Sequence, residues 1–327
     1  MTWDPGGAPH AAPYGAPPQA YAVPSPAIPQ LRRYPPVLPL RGRRPPLAVF
    51  LVIVGIFLSL AIWKWARFGS TTPLDPDLSS QVWRSEVVVA GIVVLVVVLG
   101  RWSRSTGLVP RRGSAPAVPR IALAVCLTGA VTVLAAGLDL HWGAATYVVV
   151  LVNVLAIGVF EETLFRGLLW ASLPVRWSAS RVLLVTSLAF GALHLANGFS
   201  TGAWGTAAGQ ACIVSVTGLG LGAVRLRTGW LGLSIVTHAM IDGGLASAAQ
   251  SVSHAVAVHP PGTGIPVVVV VCELALVCLY ITLGVTGITV LVRTFRAERQ
   301  ARALVARFPE LSVPVPETAG PSSRPGT

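Results

Sequence analysis

The amino-acid sequence predicts an all-α, polytopic membrane protein with about eight transmembrane helices and both termini cytoplasmic. The first observation behind this is composition: of 327 residues, 53% are hydrophobic and 11% charged, with mean hydropathy +0.70. A soluble domain carries about 25% charged residues to cover its surface. A water-soluble enzyme is therefore excluded, and lipid is the alternative solvent. The second observation is a series of apolar runs near the ~20 residues that a bilayer requires. The third is the placement of the 24 basic residues, all arginine except Lys64, between and around those runs.

Residues 1–45 contain 12 prolines, with Tyr14, Tyr21 and Tyr34 among Gly and Ala. This composition cannot bury a core and predicts a disordered or polyproline-like cytoplasmic tail, with docking to a partner's aromatic groove as the sharper reading. No charged segment followed at once by an apolar core opens the chain, so no signal peptide is expected. The transmembrane domain is expected over 46–295, with spans near 46–66, 85–101, 119–140, 144–170, 182–198, 203–224, 230–250 and 265–292, the second and fifth being short. Residues 296–327 read as a second cytoplasmic tail that begins as a basic helix extension and ends in Pro, Ser and Gly.

Tryptophans such as Trp63, Trp102, Trp142, Trp170, Trp204 and Trp230 fall near span ends, as in interfacial aromatic belts. Arginines fill alternate connections: Arg41, Arg43 and Arg44 before span one, Arg104 and Arg120 after span two, Arg176 and Arg181 after span four, Arg225 and Arg227 after span six, Arg293 to Arg307 after span eight. The positive-inside rule then places both termini in the cytoplasm, which requires an even number of spans. Arginines in these positions meet anionic lipid headgroups rather than nucleic acid, so the bilayer is the expected partner. The preference for Arg over Lys, with abundant Ala, Val and Gly, points to a GC-rich bacterium and its cell membrane. Cys126, Cys212, Cys272 and Cys278 lie in apolar runs without metal-ligand or disulfide-framework spacing.

Ionisable groups inside the bilayer cost about 2.5–3.5 kcal/mol each on insertion scales, so those present are functional candidates. Span four reads Glu161-Glu162-Thr163-Leu164-Phe165-Arg166. Glu162 and Arg166 share a helix face in the favourable order, whereas Glu161, rotated by about 100°, faces elsewhere. Span five contains Phe190-Gly191-Ala192-Leu193-His194, and span seven His238-Ala239-Met240-Ile241-Asp242. Singly, each reads first as a structural ion pair or an interhelical clamp. Depth joins them: Glu161 lies roughly 13 Å in from Trp170, His238 about 12 Å in from Trp230, and His194 roughly 20 Å from Arg181. Two carboxylates and two imidazoles sharing a cavity can polarise water, with or without a metal. Hydrolysis within the membrane is the chemistry they suggest.

These three stretches resemble, in order, the EExxxR, FxxxH and Hxxx(N/D) motifs of the CAAX protease and bacteriocin-processing (CPBP) family of intramembrane proteases, which includes the CAAX prenyl endopeptidases and the Abi proteins. The resemblance covers about 144–250. It implies that Glu161 is the general base, assisted by His194, that Glu162 pairs with Arg166, and that His238 and Asp242 stabilise the oxyanion. The eukaryotic enzymes have Asn at the last position, which donates directly; Asp242 does so only when protonated or through a bound metal or water. The family is called metalloprotease, yet members are also described as glutamate-dependent. Glu161, His194 and His238 form the candidate ligand set for Zn2+ with an open position, and both alternatives stay open. No organic cofactor is expected, and the substrate is a peptide or a membrane-protein tail.

Gly218 and Gly222 form a GxxxG for close helix packing. His254 and His259 read as solvated. Glu273 reads as facing the bundle interior, with a proton relay as its sharper role. Two rival functions remain: a non-catalytic membrane scaffold or bacteriocin-immunity protein, and a proton-coupled transporter, although no internal symmetry of the transporter kind is visible.

Overall fold

The computed structural model describes residues 43–69, 84–110, 120–258 and 267–307. The Pro-rich tail up to residue 42, the C-terminal tail beyond 307 and His259 lie outside the described residues, as do the side chains of Cys272 and Glu273. Among the described residues there is no strand. The main helices are α1 (Leu47–Phe68), α2 (Arg84–Leu99), α3 (Arg120–Asp139), α4 (Ala144–Glu162), α5 (Ala179–Leu193), α6 (Trp204–Thr228), α7 (Leu231–Val258) and α8 (Val267–Arg307). They occupy the eight stretches that the sequence marks as spans.

Six of them, with the turns that extend two, are long and apolar enough to cross a membrane. In α2 and α3 the apolar stretches are shorter, Glu86–Leu99 and Ala122–Leu138. The short spans are therefore the second and third rather than the second and fifth. Arg120 and Asp139 bound the third, whereas the fifth begins earlier, at Ala179, and continues through helical turns to Thr201. Apolar side chains face outward along these helices, among them Leu51, Ile56 and Leu60 of α1, Leu127 and Leu134 of α3, and Ile281 and Val285 of α8. Such a surface is costly in water and matched to hydrocarbon. The chain is an integral membrane protein.

Helix α4 packs between α2 and α7; α3 lies against α7 and α8, and α6 against α5 and α8. Small residues permit the closest crossings. A Cβ at Gly158 would stand 2.9 Å from the Ile235 carbonyl oxygen, and one at Gly129 would collide with the Met240 carbonyl. Both α4 and α3 thus approach the α7 backbone directly, in the manner of small-residue crossings in membranes. The main core surrounds Phe160, Leu164, Phe165, Leu168, Leu183 and Phe190.

Three departures from uniform helices bear on the site. Span four does not stay α-helical: Thr163–Leu169 forms a π-helix before an α-turn at Trp170–Ser172. Hydrophobic periodicity cannot reveal a π segment, because these residues are buried on every side. Span five leaves α geometry at His194, where a 3₁₀ turn (His194–Ala196) leads into Asn197–Thr201. Helix α8 runs for 41 residues, about 60 Å at 1.5 Å per residue, so it continues well past a ~30 Å hydrocarbon core. Residues 296–307 continue this helix, as the basic extension that the sequence suggests. Arg225, read as a connection residue, is buried and donates from Nη2 to the Thr106 carbonyl at 2.9 Å, tying α6 to the short helix Ser103–Thr106.

Candidate active site

The acid pair closes α4 at the point where α geometry gives way to π geometry. Successive positions there diverge, so Glu162 points into protein and is fully buried, while the Glu161 side chain keeps 16% exposure. Glu162 Oε1 accepts from Arg166 Nη1 at 2.8 Å. Arg166 also donates from Nη2 to the Gly218 carbonyl at 3.2 Å, and its guanidinium lies 4.1 Å from the Phe190 ring centroid. A charge buried this completely requires such partners, since an unpaired ion costs several kcal/mol; Arg166 Nε and Glu162 Oε2 have no hydrogen-bond partner among the described residues. Gly218 makes room for it: a Cβ there would stand 3.0 Å from Arg166 Nη2 and 3.3 Å from the Phe190 ring.

His238 is the meeting point of the carboxylates. Its Nδ1 donates to Glu162 Oε1 at 3.0 Å, while Nε2 lies 3.3 Å from Glu161 Oε2 and 3.2 Å from Asp242 Oδ2. One turn of α7 brings Asp242 onto the same face as His238. Nε2 carries at most one hydrogen, so Glu161 and Asp242 compete for it. Asp242 keeps 32% side-chain exposure, so it and Glu161 line the accessible part of the cluster.

Phe190 joins the other members. Its ring meets His238 edge-on at 5.6 Å and His194 at 5.0 Å, and packs on Phe165 at 5.2 Å. His194 Nδ1 lies 3.0 Å from the Phe190 carbonyl, as its donor, which fixes the ring and leaves Nε2 without a hydrogen-bond partner among the described residues. His194 stands within electrostatic range of Glu161 but makes no hydrogen bond to it. All six residues singled out in the sequence thus fall in one neighbourhood, five of them in a continuous chain of polar contacts and His194 through Phe190.

Two neighbours escape the sequence motifs. Glu86 of α2 and Tyr280 of α8 both lie within electrostatic range of Glu161, and the Tyr280 hydroxyl hydrogen-bonds with Thr217. Each has a sequence signal available in retrospect: Glu86 is the single acid in α2, and Tyr280 is a hydroxyl inside an apolar run.

A zinc ion would draw on Glu161, His194 and His238. As they stand, both nitrogens of His238 face carboxylate oxygens, and no three His, Cys, Asp or Glu side chains among the described residues have the mutual arrangement of a metal site. This arrangement does not fit a metal, and no step below runs through one.

The motif-bearing helices are also what the comparison with protein families recognises. Residues 143–244 match the Rce1-like type II CAAX prenyl endopeptidases. The match covers less than half of the chain, but it includes α4, α5, α6 and α7 through Gly244, and with them Glu161, Glu162, Arg166, Phe190, His194, His238 and Asp242. No curated protein matches the chain, and no solved structure does. The Rce1-like segment is the part of the bundle that carries the polar cluster.

Proposed function

We propose that this protein is an intramembrane endopeptidase of the CAAX protease type, with both termini in the cytoplasm, acting on a membrane-associated peptide or a membrane-protein tail. The observation that carries the reading is the division of labour between adjacent glutamates. Glu162 is buried and spent on Arg166 and His238, whereas Glu161 is accessible and shares a single His238 hydrogen with Asp242.

In this mechanism Glu161, with His194 beside it, removes a proton from a water as the water attacks the peptide carbonyl carbon. The oxyanion accepts a hydrogen bond from His238 Nε2–H, which Glu161 releases on becoming protonated, and from Asp242 when Asp242 holds a proton. Glu161 then passes its proton to the departing amine as the C–N bond breaks. Glu162 fixes the His238 ring through Nδ1, the orienting role that carboxylates have in other catalytic histidines. A positioned general base of this kind contributes about 10²–10⁴ in rate.

The test compares membrane-protein termini in cells carrying wild type and Glu161→Ala at equal abundance. Termini made only with wild type support proteolysis. Identical profiles overturn it and leave the scaffold or immunity reading.

A further inference from the structure

At the end of the bundle opposite the deep turn at His194, the start of α5 meets the C-terminal part of α8. Between them lies a cleft of about 430 Å3 whose rim carries Arg181, Arg296, Arg299 and Arg302. Its floor is apolar, formed by Leu184, Leu291 and Phe295. Leu184 and Phe295 are 41% and 48% exposed, so the floor is open to whatever surrounds the protein.

The extension of α8 is held in place. Glu298 accepts from the Ser180 backbone N–H at 3.1 Å and from the Ser180 hydroxyl. The Glu298 carboxylate, on the same stretch of α8 as three of the arginines, is therefore engaged by the first turn of α5. Among the described residues no carboxylate pairs with any of the four rim arginines; their one side-chain hydrogen bond runs from Arg302 Nε to the Glu298 carbonyl at 3.4 Å. Four arginines against one carboxylate leave the rim with net positive charge, which attracts an anion. Arginine forks match phosphate oxygens in pairs.

We propose that this cleft binds an anionic phospholipid, with its phosphate headgroup among Arg181, Arg296, Arg299 and Arg302 and its acyl chains along Leu184, Leu291 and Phe295. The apolar floor selects the lipid over a free phosphate, which has nothing to place there. Basic pockets between transmembrane helices take headgroups in this manner. Because Glu298 links α8 to α5, and α5 carries Phe190 and leads into the turn at His194, the lipid stabilises the helix that positions two site residues. This proposal does not depend on the protein being a protease.

The experiment uses the full chain, purified and placed in phosphatidylcholine nanodiscs with or without phosphatidylglycerol. Thermal melting and the lipid retained on native mass spectra are read together. Phosphatidylglycerol raises the melting temperature and remains bound to wild type. Arg296→Ala/Arg299→Ala, two exposed side chains without partners among the described residues, weakens that binding roughly 25-fold, at about fivefold per arginine. Arg293→Ala, outside the cleft, leaves it unchanged. Equal stabilisation by phosphatidylcholine alone, or an effect of Arg293→Ala as large as that of the cleft variant, overturns the proposal. Inorganic phosphate reproducing the full effect assigns the site to a free anion and overturns the lipid.

Discussion

Glu162 Oε1 is shared by two cations or potential cations from different helical turns: Arg166 Nη1 at 2.8 Å and His238 Nδ1 at 3.0 Å. One oxygen atom therefore joins the π segment after α4 to α7, and it does so at full burial. The residue that holds the fold together at this depth is adjacent to the residue we assign to chemistry, and the two respond differently to substitution.

Glu162→Gln keeps the shape but leaves Arg166 buried without its paired carboxylate. Breaking a buried pair from one side costs about 3–5 kcal/mol, so detergent-solubilised Glu162→Gln melts well below wild type or fails to accumulate. Glu161→Gln alters one accessible contact, and its melting stays close to wild type while turnover falls by about 10²–10⁴. Equal melting of the two variants would falsify the division of labour.

Arg166→Ala strands Glu162 and lowers both yield and melting temperature by the same reasoning. Arg166→Lys does not restore them. A lysine is a point charge on a flexible stem and cannot serve Glu162, the Gly218 carbonyl and the Phe190 face in one plane. Wild-type accumulation of Arg166→Lys, measured by immunoblot of membranes, is the result incompatible with this geometry.

Two glycines of α6 respond with opposite signs. Gly209 has open space where a Cβ would go, so Gly209→Ala gains about 0.4–1 kcal/mol from chain entropy. At Gly218 the added methyl presses on Arg166 and Phe190, and overpacking costs about 1–3 kcal/mol. Thermal melting of the two single variants in the same detergent separates them.

Asp242→Asn retains an oxygen acceptor facing His238 and adds an amide donor for an oxyanion. Turnover is therefore retained in Asp242→Asn and lost in Asp242→Ala, measured as the abundance of wild-type-dependent termini. Loss in both variants assigns Asp242 a proton-transfer role instead.

Most of the architecture was legible before any coordinates. Apolar runs report helices because a bilayer admits little else, and the starts of α1, α4, α6 and α7 fall within two residues of their expected positions. The polar cluster was legible because Glu161, Glu162, Arg166, His194, His238 and Asp242 stand out against apolar neighbours. Two things were hidden. The π turn leaves no trace in a segment buried all round. The attachment of Glu162 to His238 links residues 76 apart, a pairing that periodicity on either helix does not encode. The continuation of α8 to Arg307 was legible as a basic helix extension beyond the last span. Predictions on the Pro-rich tail and Glu273 fall outside the described residues and side chains.

The π segment at Thr163–Leu169 gives the site a reading frame. A π turn is in effect an α-helix with a surplus residue, and here it lies between the acid pair and the buried Trp170. Removing one residue from 163–169 lets the helix close ordinary hydrogen bonds throughout and rotates everything before the cut by about 100° against everything after it. With a cut at 163–165, Glu161 then faces the wall that Glu162 now meets, beside Arg166, and the apolar Phe160 takes the more accessible position that Glu161 now holds. Variation in this stretch is thus bounded by length before it is bounded by chemistry.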